Sequence, residues 1–270
     1  EFAKTTNDPS YKDYKVALST MVGTIATGGY EIGTYFYAPL VWSNNSNIVS
    51  DDGTVTDGYL NNEKTVESMS KFAMLFDKNA PLAMATEPEN VFSTGKAAFA
   101  VAGFWFFNDF KQNYPNLKYR SVRYPKMNAD FKDLYTPSGS WAFVRSANIK
   151  DENKVKQVVE VMEWLTNDEA SKEYFEKNGS IPTRKASVDA IKTDTDNPYF
   201  NEAWSVLKYQ VANTNKARPI SAGYPYLSET FSKDVILKIA QNNASSPELV
   251  KEYLQKASEK IDLELKKYKK

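Results

Sequence analysis

The sequence predicts an α/β protein that is rich in helix towards its C-terminus. Short apolar runs bounded by Gly and Pro, which are typical of strands, fall within residues 1–145 and alternate there with helical patterns. Beyond that point, apolar residues recur at the spacing of amphipathic helices over almost all of the chain. A length of 270 residues corresponds to one large domain or two lobes.

Charge and residue usage exclude several classes of function. Lys and Arg number 34 and balance 34 Asp and Glu, so no nucleic-acid partner is expected. Cysteine and histidine are both absent, which excludes thiolate nucleophiles, HExxH zinc sites and Ser-His-Asp triads. We therefore expect no metal or cofactor, and an enzyme would have to use carboxylates, Lys or Tyr. Aromatic residues reach 14%, which fits either a large core or a cleft that stacks on ring-shaped ligands.

In the first third of the chain, a strand is predicted at residues 16–22. Residues 31–42 predict an aromatic-rich helix, and Asp51-Asp52-Gly53 predicts a hairpin turn. Residues 61–77 predict a helix with Asn61 or Asn62 as its cap. The apolar face of this helix repeats at helical spacing through Val66, Met69, Phe72, Ala73 and Phe76.

Three further strands are predicted in the middle of the chain, at residues 97–102, 117–124 and 140–145. Gly103 turns the first of them into a helix at residues 104–114, which ends before a proline. The helices predicted after these strands cover residues 153–165, 168–179, 186–192, 199–212, 227–242 and 247–268.

The stretch from Phe92 to Trp105, FSTGKAAFAVAGFW, is the most specific motif. An aromatic residue at a strand-end turn can form the wall of a cleft, and it can equally lie in the core. The stretch resembles the F-x-x-G-K-A-A-[MF]-x-x-x-G-x-W signature of the family 1 extracellular solute-binding proteins of sugar ABC transporters. The resemblance implies that Trp105 stacks on a sugar ring.

Other stretches resemble the same family in the same order. They are residues 138–147, the helix segment 163–170 with Trp164 interpreted as core, and residues 179–184. The resemblance implies ligand contacts from Gly139 and Trp141, which lie in a loop-to-strand turn. Residues 34–42 and 222–226 are also similar to family segments, although Asn44-Asn45-Ser46 replaces a usual Gly pair. They imply further ligand contacts from Tyr35, Tyr224 and Tyr226.

The resemblance implies a periplasmic-binding-protein-like fold of type II, without the first part of the N-terminal lobe. Residues 1–135 and 187–270 would form most of the C-terminal lobe, and residues 136–186 would cross back to the N-terminal lobe. The chain is then expected to be a processed product or a fragment.

As a function, the resemblance implies non-catalytic binding of a carbohydrate, an oligosaccharide by preference, and its delivery to the permease subunits of an ABC importer. The protein would be a monomer, extracellular or periplasmic, and anchored as a lipoprotein through an N-terminus that this chain does not contain. With half of the cleft missing, we expect weak or absent sugar binding from the chain alone.

Two alternatives to sugar capture remain open from the residues. Paired carboxylates could hydrolyse glycans, and Asp51 with Asp52, or Glu87 with Glu89, are such pairs, although they lie in turns without apolar context. A binding protein for a charged ligand would instead place arginine in its cleft. The candidates for that role are Arg145, Arg184 and Arg218.

Overall fold

The structure, a computed structural model, describes residues 16–79, 82–86, 91–124, 126, 134–139, 141–192, 197–243 and 246–268. The described chain divides into two compact units. The first unit takes its residues from Glu1–Val101, Arg123–Ser138 and Gln210–Lys270, and the second from Ala102–Val122 and Gly139–Tyr209.

Strands are short within the described part, and most of the regular structure is helical. The strands are β1 (Val16–Ser19), β2 (Ala97–Ala100), β3 (Thr136–Ser138) and β4 (Asn215–Ala217). The α-helices are α1 (Val22–Ala26), α2 (Glu31–Ser43), α3 (Glu63–Ala73), α4 (Phe106–Asn113), α5 (Glu152–Leu165), α6 (Asp168–Asn178), α7 (Lys185–Asp189), α8 (Pro198–Asn213), α9 (Tyr224–Thr230), α10 (Lys238–Gln241) and α11 (Pro247–Leu265). A π-helix (Phe231–Leu237) joins α9 to α10, and 3₁₀ turns extend α3 and α11.

Two parallel strand pairs belong to the first unit. β1 pairs with β2, with Leu18 opposite Phe99, and β3 pairs with β4, with Pro137 opposite Lys216. Parallel pairing requires long crossover connections, so each pair brings distant parts of the chain together. β1 is shorter than predicted because Met21 adopts a left-handed conformation (φ 59°) and the chain turns directly into α1.

The core of the first unit forms around α2, in which every residue from Phe36 to Ser43 is buried. The Tyr37 ring lies 4.7 Å from the ring of Phe72 on α3, centroid to centroid. The predicted helix at residues 61–77 is confirmed as α3 and its 3₁₀ extension, with Asn62 capping Thr65 N at 2.9 Å. The predicted apolar face of this helix is buried, since Met69, Phe72 and Phe76 all face this core.

Close backbone approach joins α2 to the π-helix. A Cβ atom placed on Gly33 would lie 2.1 Å from Ser232 Oγ and 2.8 Å from Ser232 Cα. Only glycine therefore permits this packing distance.

The second unit has a small aromatic core. Phe107, Phe175, Phe200 and Trp204 are buried together, and Phe104 stacks on Phe175 at 6.0 Å. Asn167 caps α6, and Gly179 ends it in the left-handed conformation (φ 68°), close to the predicted range of residues 168–179.

Two of the predicted strands are wrong. Residues 117–124 and 141–145 have no regular structure, and the described chain provides no strand beside either of them. An extended segment becomes a strand only when a neighbour accepts and donates its backbone hydrogen bonds. The interpretation of Trp164 as core is also wrong, because 67% of this residue is exposed and α5 contains no buried residue.

Candidate ligand-binding site

A hydrogen-bonded cluster in the first unit forms around the carboxylate of Glu31. Its Oε1 accepts from the Tyr224 hydroxyl at 2.6 Å and from Arg218 Nη1. Its Oε2 accepts from Ser228 Oγ at 2.7 Å, and Ser228 Oγ in turn lies 2.9 Å from Thr34 Oγ1. We call Glu31, Arg218, Tyr224 and Ser228 the Glu31 cluster.

Local structure explains why these residues meet. Glu31 is the first residue of α2, where an acidic side chain also interacts favourably with the helix dipole. Tyr224 and Ser228 are four residues apart on α9 and therefore lie on one face of that helix. Arg218 directly follows β4, whose pairing with β3 fixes the position of the backbone.

Arg218 packs its guanidinium against the ring of Tyr35, with Cζ 5.3 Å from the ring centroid. About a quarter of the Arg218 side chain (26%) and 37% of that of Glu31 are exposed, so the pair is partly accessible to solvent. Burial opposes the charge of Arg218, but the hydrogen bond that it donates to Glu31, together with the charges of Glu31, Tyr224 and Tyr35, outweighs burial and raises the pKa of the guanidinium. The cluster therefore contains a permanently charged and oriented donor.

Both phenols of the site remain protonated well above neutral pH. Burial raises the pKa of Tyr35, an effect that Arg218 opposes and Glu31 reinforces. Burial also raises the pKa of Tyr224, and its hydrogen bond to Glu31 adds to this effect. Both hydroxyl groups therefore stay neutral, and that of Tyr224 donates its hydrogen to Glu31.

A second cation lies beside aromatic rings on the same elements. Lys216 Nζ is 5.2 Å from the Trp42 ring centroid, 5.4 Å from that of Tyr135 and 3.0 Å from Asn47 Oδ1. Burial lowers the pKa of Lys216, and the charge of Asp51 opposes this effect. Tyr35 and Trp42 are seven residues apart on α2, and Lys216 and Arg218 are two apart, so each pair shares one face. These four residues form a cation–aromatic strip.

The second unit contains three of the residues that the resemblance implied. Trp105 immediately precedes α4 and is 42% exposed, and its indole lies over Gly103, where a Cβ atom would be 2.1 Å from the ring. Gly139 is exposed, and Trp141 is 98% exposed. Trp141 lies in the segment where the sequence predicted a strand and the structure has none.

The structure thus brings together two of the predicted site residues, Tyr35 and Tyr224, through Glu31 and Arg218. Tyr226 is 37% exposed and outside the Glu31 cluster, and its electrostatic interactions are with Lys260 and Lys267. Sequence reasoning missed Glu31, Ser228 and Lys216. The four-residue spacing of Glu31 to Tyr35 and of Tyr224 to Ser228 was a signal that could have indicated Glu31 and Ser228, whereas no spacing indicated Lys216.

The carboxylate pairs do not form a candidate catalytic site in the described chain. Asp52 Oδ1 accepts from Ser50 Oγ at 2.6 Å and from Thr54 N at 3.1 Å, and this organises the turn around Gly53. Glu87 and Glu89 lie outside the described residues. Among the described residues no group of acidic side chains has the arrangement of a metal site, and none of the described helices is long and apolar enough to span a membrane.

Comparison with known proteins gives matches in structure. No protein-family model matches the sequence, and no curated protein sequence matches it. The cyclic α-maltosyl-1,6-maltose binding protein from Arthrobacter globiformis superposes with a TM-score of 0.70 at 18% identity, over 98% of this chain and 62% of that one. The maltose/maltodextrin-binding domain MalE from Bdellovibrio bacteriovorus, bound to maltotriose, gives 0.66 at 18% identity, over 96% and 63%.

The chain has the fold of the sugar solute-binding proteins. The resemblance inferred from the motifs is thereby confirmed at the level of the fold, and the chain spans just under two thirds of the length of these structures. The solute-binding fold is also found in UgpB from Mycobacterium tuberculosis in complex with glycerophosphocholine, at a TM-score of 0.61 and 16% identity over 87% of this chain and 56% of that one. The ligands named for the matched structures thus include one that is not a sugar.

Proposed function

We propose that this chain is the larger part of a family 1 solute-binding protein that captures an oligosaccharide and delivers it to the permease of an ABC importer. The observation that carries the proposal is the Glu31 cluster beside Tyr35, in a chain with the fold of maltodextrin-binding proteins. In this proposal the protein acts without catalysis, as a monomer, outside the cytoplasm, and is held at the membrane by a lipid anchor.

The chemistry of the site suits a sugar. A pyranose has an apolar C–H face that packs on aromatic rings and hydroxyl groups that need fixed donors and acceptors. Tyr35 supplies ring surface beside the Glu31 cluster. Arg218 and the Tyr224 hydroxyl supply polar groups whose directions are fixed by Glu31. Fixed groups lose little conformational freedom on binding, which favours affinity.

We assign residues 1–135 and 187–270 to the C-terminal lobe of the parent protein and residues 136–186 to a segment that crosses back to the N-terminal lobe. Trp141, Val144 and Trp164 support this assignment because all three are strongly exposed in the second unit. Large apolar side chains in this number are costly to leave in water. A lobe that supplies strands beside residues 141–145 and covers the apolar face of α5 would remove that cost.

The test of sugar capture is a titration of the 270-residue chain with maltotriose, followed by calorimetry and by saturation-transfer NMR, which detects weak binding. We expect weak affinity, of about 1 mM, because only one wall of the cleft is present. The Tyr35→Ala variant should lose the signal. Tyr59→Ala, which changes a half-buried tyrosine of the same unit away from the cluster, should keep it.

Three results would change the proposal. Sub-micromolar affinity would show that the missing lobe is unnecessary. Absence of a signal from maltotriose and from other oligosaccharides in the full-length parent protein would contradict sugar capture. Turnover of a chromogenic glycoside would favour the carboxylate-dependent enzyme instead.

A binding protein for a charged ligand is the second candidate. Arg218 favours it, because a guanidinium that is three quarters buried is well suited to a carboxylate or a phosphate. The glycerophosphocholine complex of UgpB shows that the fold accepts such ligands. Glu31 decides between the sugar ligand and the charged ligand.

A further inference from the structure

Glu31 occupies a position that would otherwise bind an anion. Its two carboxylate oxygens accept hydrogen bonds from a guanidinium and from two hydroxyl groups, those of Tyr224 and Ser228. Arg218, Tyr224 and Ser228 are the kinds of donor that proteins use for carboxylate and phosphate ligands. The carboxylate of Glu31 is therefore in the place of a ligand anion.

We propose that Glu31 is a built-in anion that makes the site select neutral ligands over anionic ones. This inference rests on the proposed function and names the ligand class that the site takes. The carboxylate neutralises Arg218 and occupies the two hydroxyl donors, so an incoming phosphate or carboxylate meets no net positive charge from the Glu31–Arg218 pair. It would also lie beside a like charge, which costs binding free energy.

Neutral hydroxyl groups meet a different surface. A guanidinium has five N–H donors, and within the described residues Arg218 uses one nitrogen on Glu31. The remaining donors are held in direction by the Tyr35 ring below them. A sugar hydroxyl can accept from these groups without bringing charge into a partly buried site. The Glu31–Arg218 pair thus supplies strong hydrogen-bond donors without favouring an anionic ligand.

Removal of the Glu31 charge should convert the site into an anion site. In Glu31→Gln the side chain keeps its size, while Arg218 loses its counter-charge. In Glu31→Ala the three donors also lose their acceptor, and a cavity opens for a small anion. Both variants should gain at least about tenfold in affinity for inorganic phosphate relative to the wild-type chain, since an unpaired, partly buried guanidinium binds anions strongly.

The experiment measures phosphate binding by calorimetry and by thermal shift at constant ionic strength, with chloride as the reference salt. The wild-type chain should show no saturable effect, and both Glu31 variants should show one. Adding Arg218→Gln to either variant should abolish the gain. Glu229→Gln is the matched control, because it removes a carboxylate that pairs with Lys233 on the surface of the same unit.

Stabilisation by formate is a second measurement. It uses only the wild type and Glu31→Ala, and it does not depend on sugar binding. Formate should stabilise Glu31→Ala saturably and leave the wild type unchanged, because formate restores the missing carboxylate. Saturable phosphate binding by the wild type that Arg218→Gln removes would overturn the inference and make this an open anion site. Glu31 variants that bind phosphate and formate no better than the wild type would overturn it as well. Loss of maltotriose binding alone would count against sugar capture and leave the anion result standing.

Discussion

At the scale of single residues, Trp105 is the aromatic side chain that the sequence motif singles out and that the structure leaves half exposed. Its backbone begins α4, and its indole occupies the space that Gly103 leaves free. A larger residue at position 103 would displace the ring. The glycine of the motif therefore has a packing role, and part of the indole remains exposed to solvent.

Trp105→Ala should weaken maltotriose binding by up to about tenfold, because an aromatic contact of this kind contributes about 0.5–1.5 kcal/mol. Saturation-transfer NMR measures the change. Trp164→Ala is the control, since it removes a more exposed indole for which no ligand contact is proposed. Equal losses in the two variants would show that Trp105 has no specific contact with the sugar.

The sequence located part of this site at the residue scale. The motifs pointed to Tyr35 and Tyr224 because aromatic residues stand out in a pattern. Glu31 and Ser228 are not aromatic and belong to no family motif. Their importance depends on the contact between α2 and α9. Arg218 was one of three arginine candidates for a charged-ligand site. The sequence does not show which of the three has a partly buried partner.

At the scale of elements, α2 and the π-helix pack closely against each other in the first unit, where Gly33 meets Ser232. Gly33→Ala places a methyl group 2.4 Å from Ser232 Cβ and closer still to its hydroxyl oxygen. We expect a loss of about 1–3 kcal/mol in the free energy of unfolding, measured by urea denaturation, because an overpacked interface must shift. Lys64→Ala, on the exposed side of α3, should change stability by less than about 0.5 kcal/mol.

A double variant tests whether Ser232 is the cause. Ser232→Gly removes the two atoms nearest to the new methyl group, so Gly33→Ala should cost less in its presence than alone. Strict additivity of the two losses would contradict a direct clash. Because α2 begins at Glu31, the Gly33→Ala variant should also disturb the hydrogen bond from Ser228 to Glu31.

Asp234 on the π-helix links this element to α11. Its carboxylate lies 3.0 Å from Lys238 Nζ and 2.5 Å from Lys260 Nζ. Burial opposes the charge, but the two lysines outweigh it and hold the pKa below the ordinary value of 3.8. The contribution of Asp234 to stability is therefore fully present above that value and is lost as the pH falls through the lower folded-state pKa.

Asp234→Asn should accordingly reduce the free energy of unfolding at neutral pH and make the fall in stability below about pH 4 less steep. Urea denaturation at a series of pH values measures both effects. Asp189→Asn, which changes an exposed carboxylate on α7, is the control. An unchanged acid profile in Asp234→Asn would show that the two lysines contribute nothing to stability.

At the scale of the whole molecule, the two units differ in how much they bury. The first encloses long helices such as α2 and α11, whereas the second has one aromatic cluster and a helix, α5, without a buried side chain. Local stability follows buried apolar contacts, so the units should open with different free energies.

Native-state hydrogen exchange should show slow amides in α2 and α11 and fast amides in α5 and at residues 141–145. The same residues should become protected in the full-length parent protein, where we propose that a lobe covers them. Protection of α5 equal to that of α11 in the 270-residue chain would mean that the apolar face is already covered. Size-exclusion chromatography then tells whether a second copy covers it.

The sequence by itself determined the positions of most helices, because apolar spacing, the caps Asn62, Asn167 and Ser246, and the stop at Gly179 act within a few residues. It also determined the resemblance that the fold confirms. Only the tertiary structure decided which extended segments become strands. Residues 16–19 pair with residues 97–100, while residues 117–124 and 141–145 have no neighbouring strand in the described chain. The tertiary structure alone also placed Glu31 against Arg218. Strand pairing and charge pairing both join residues that are far apart in sequence, and no local pattern encodes which distant partner is present.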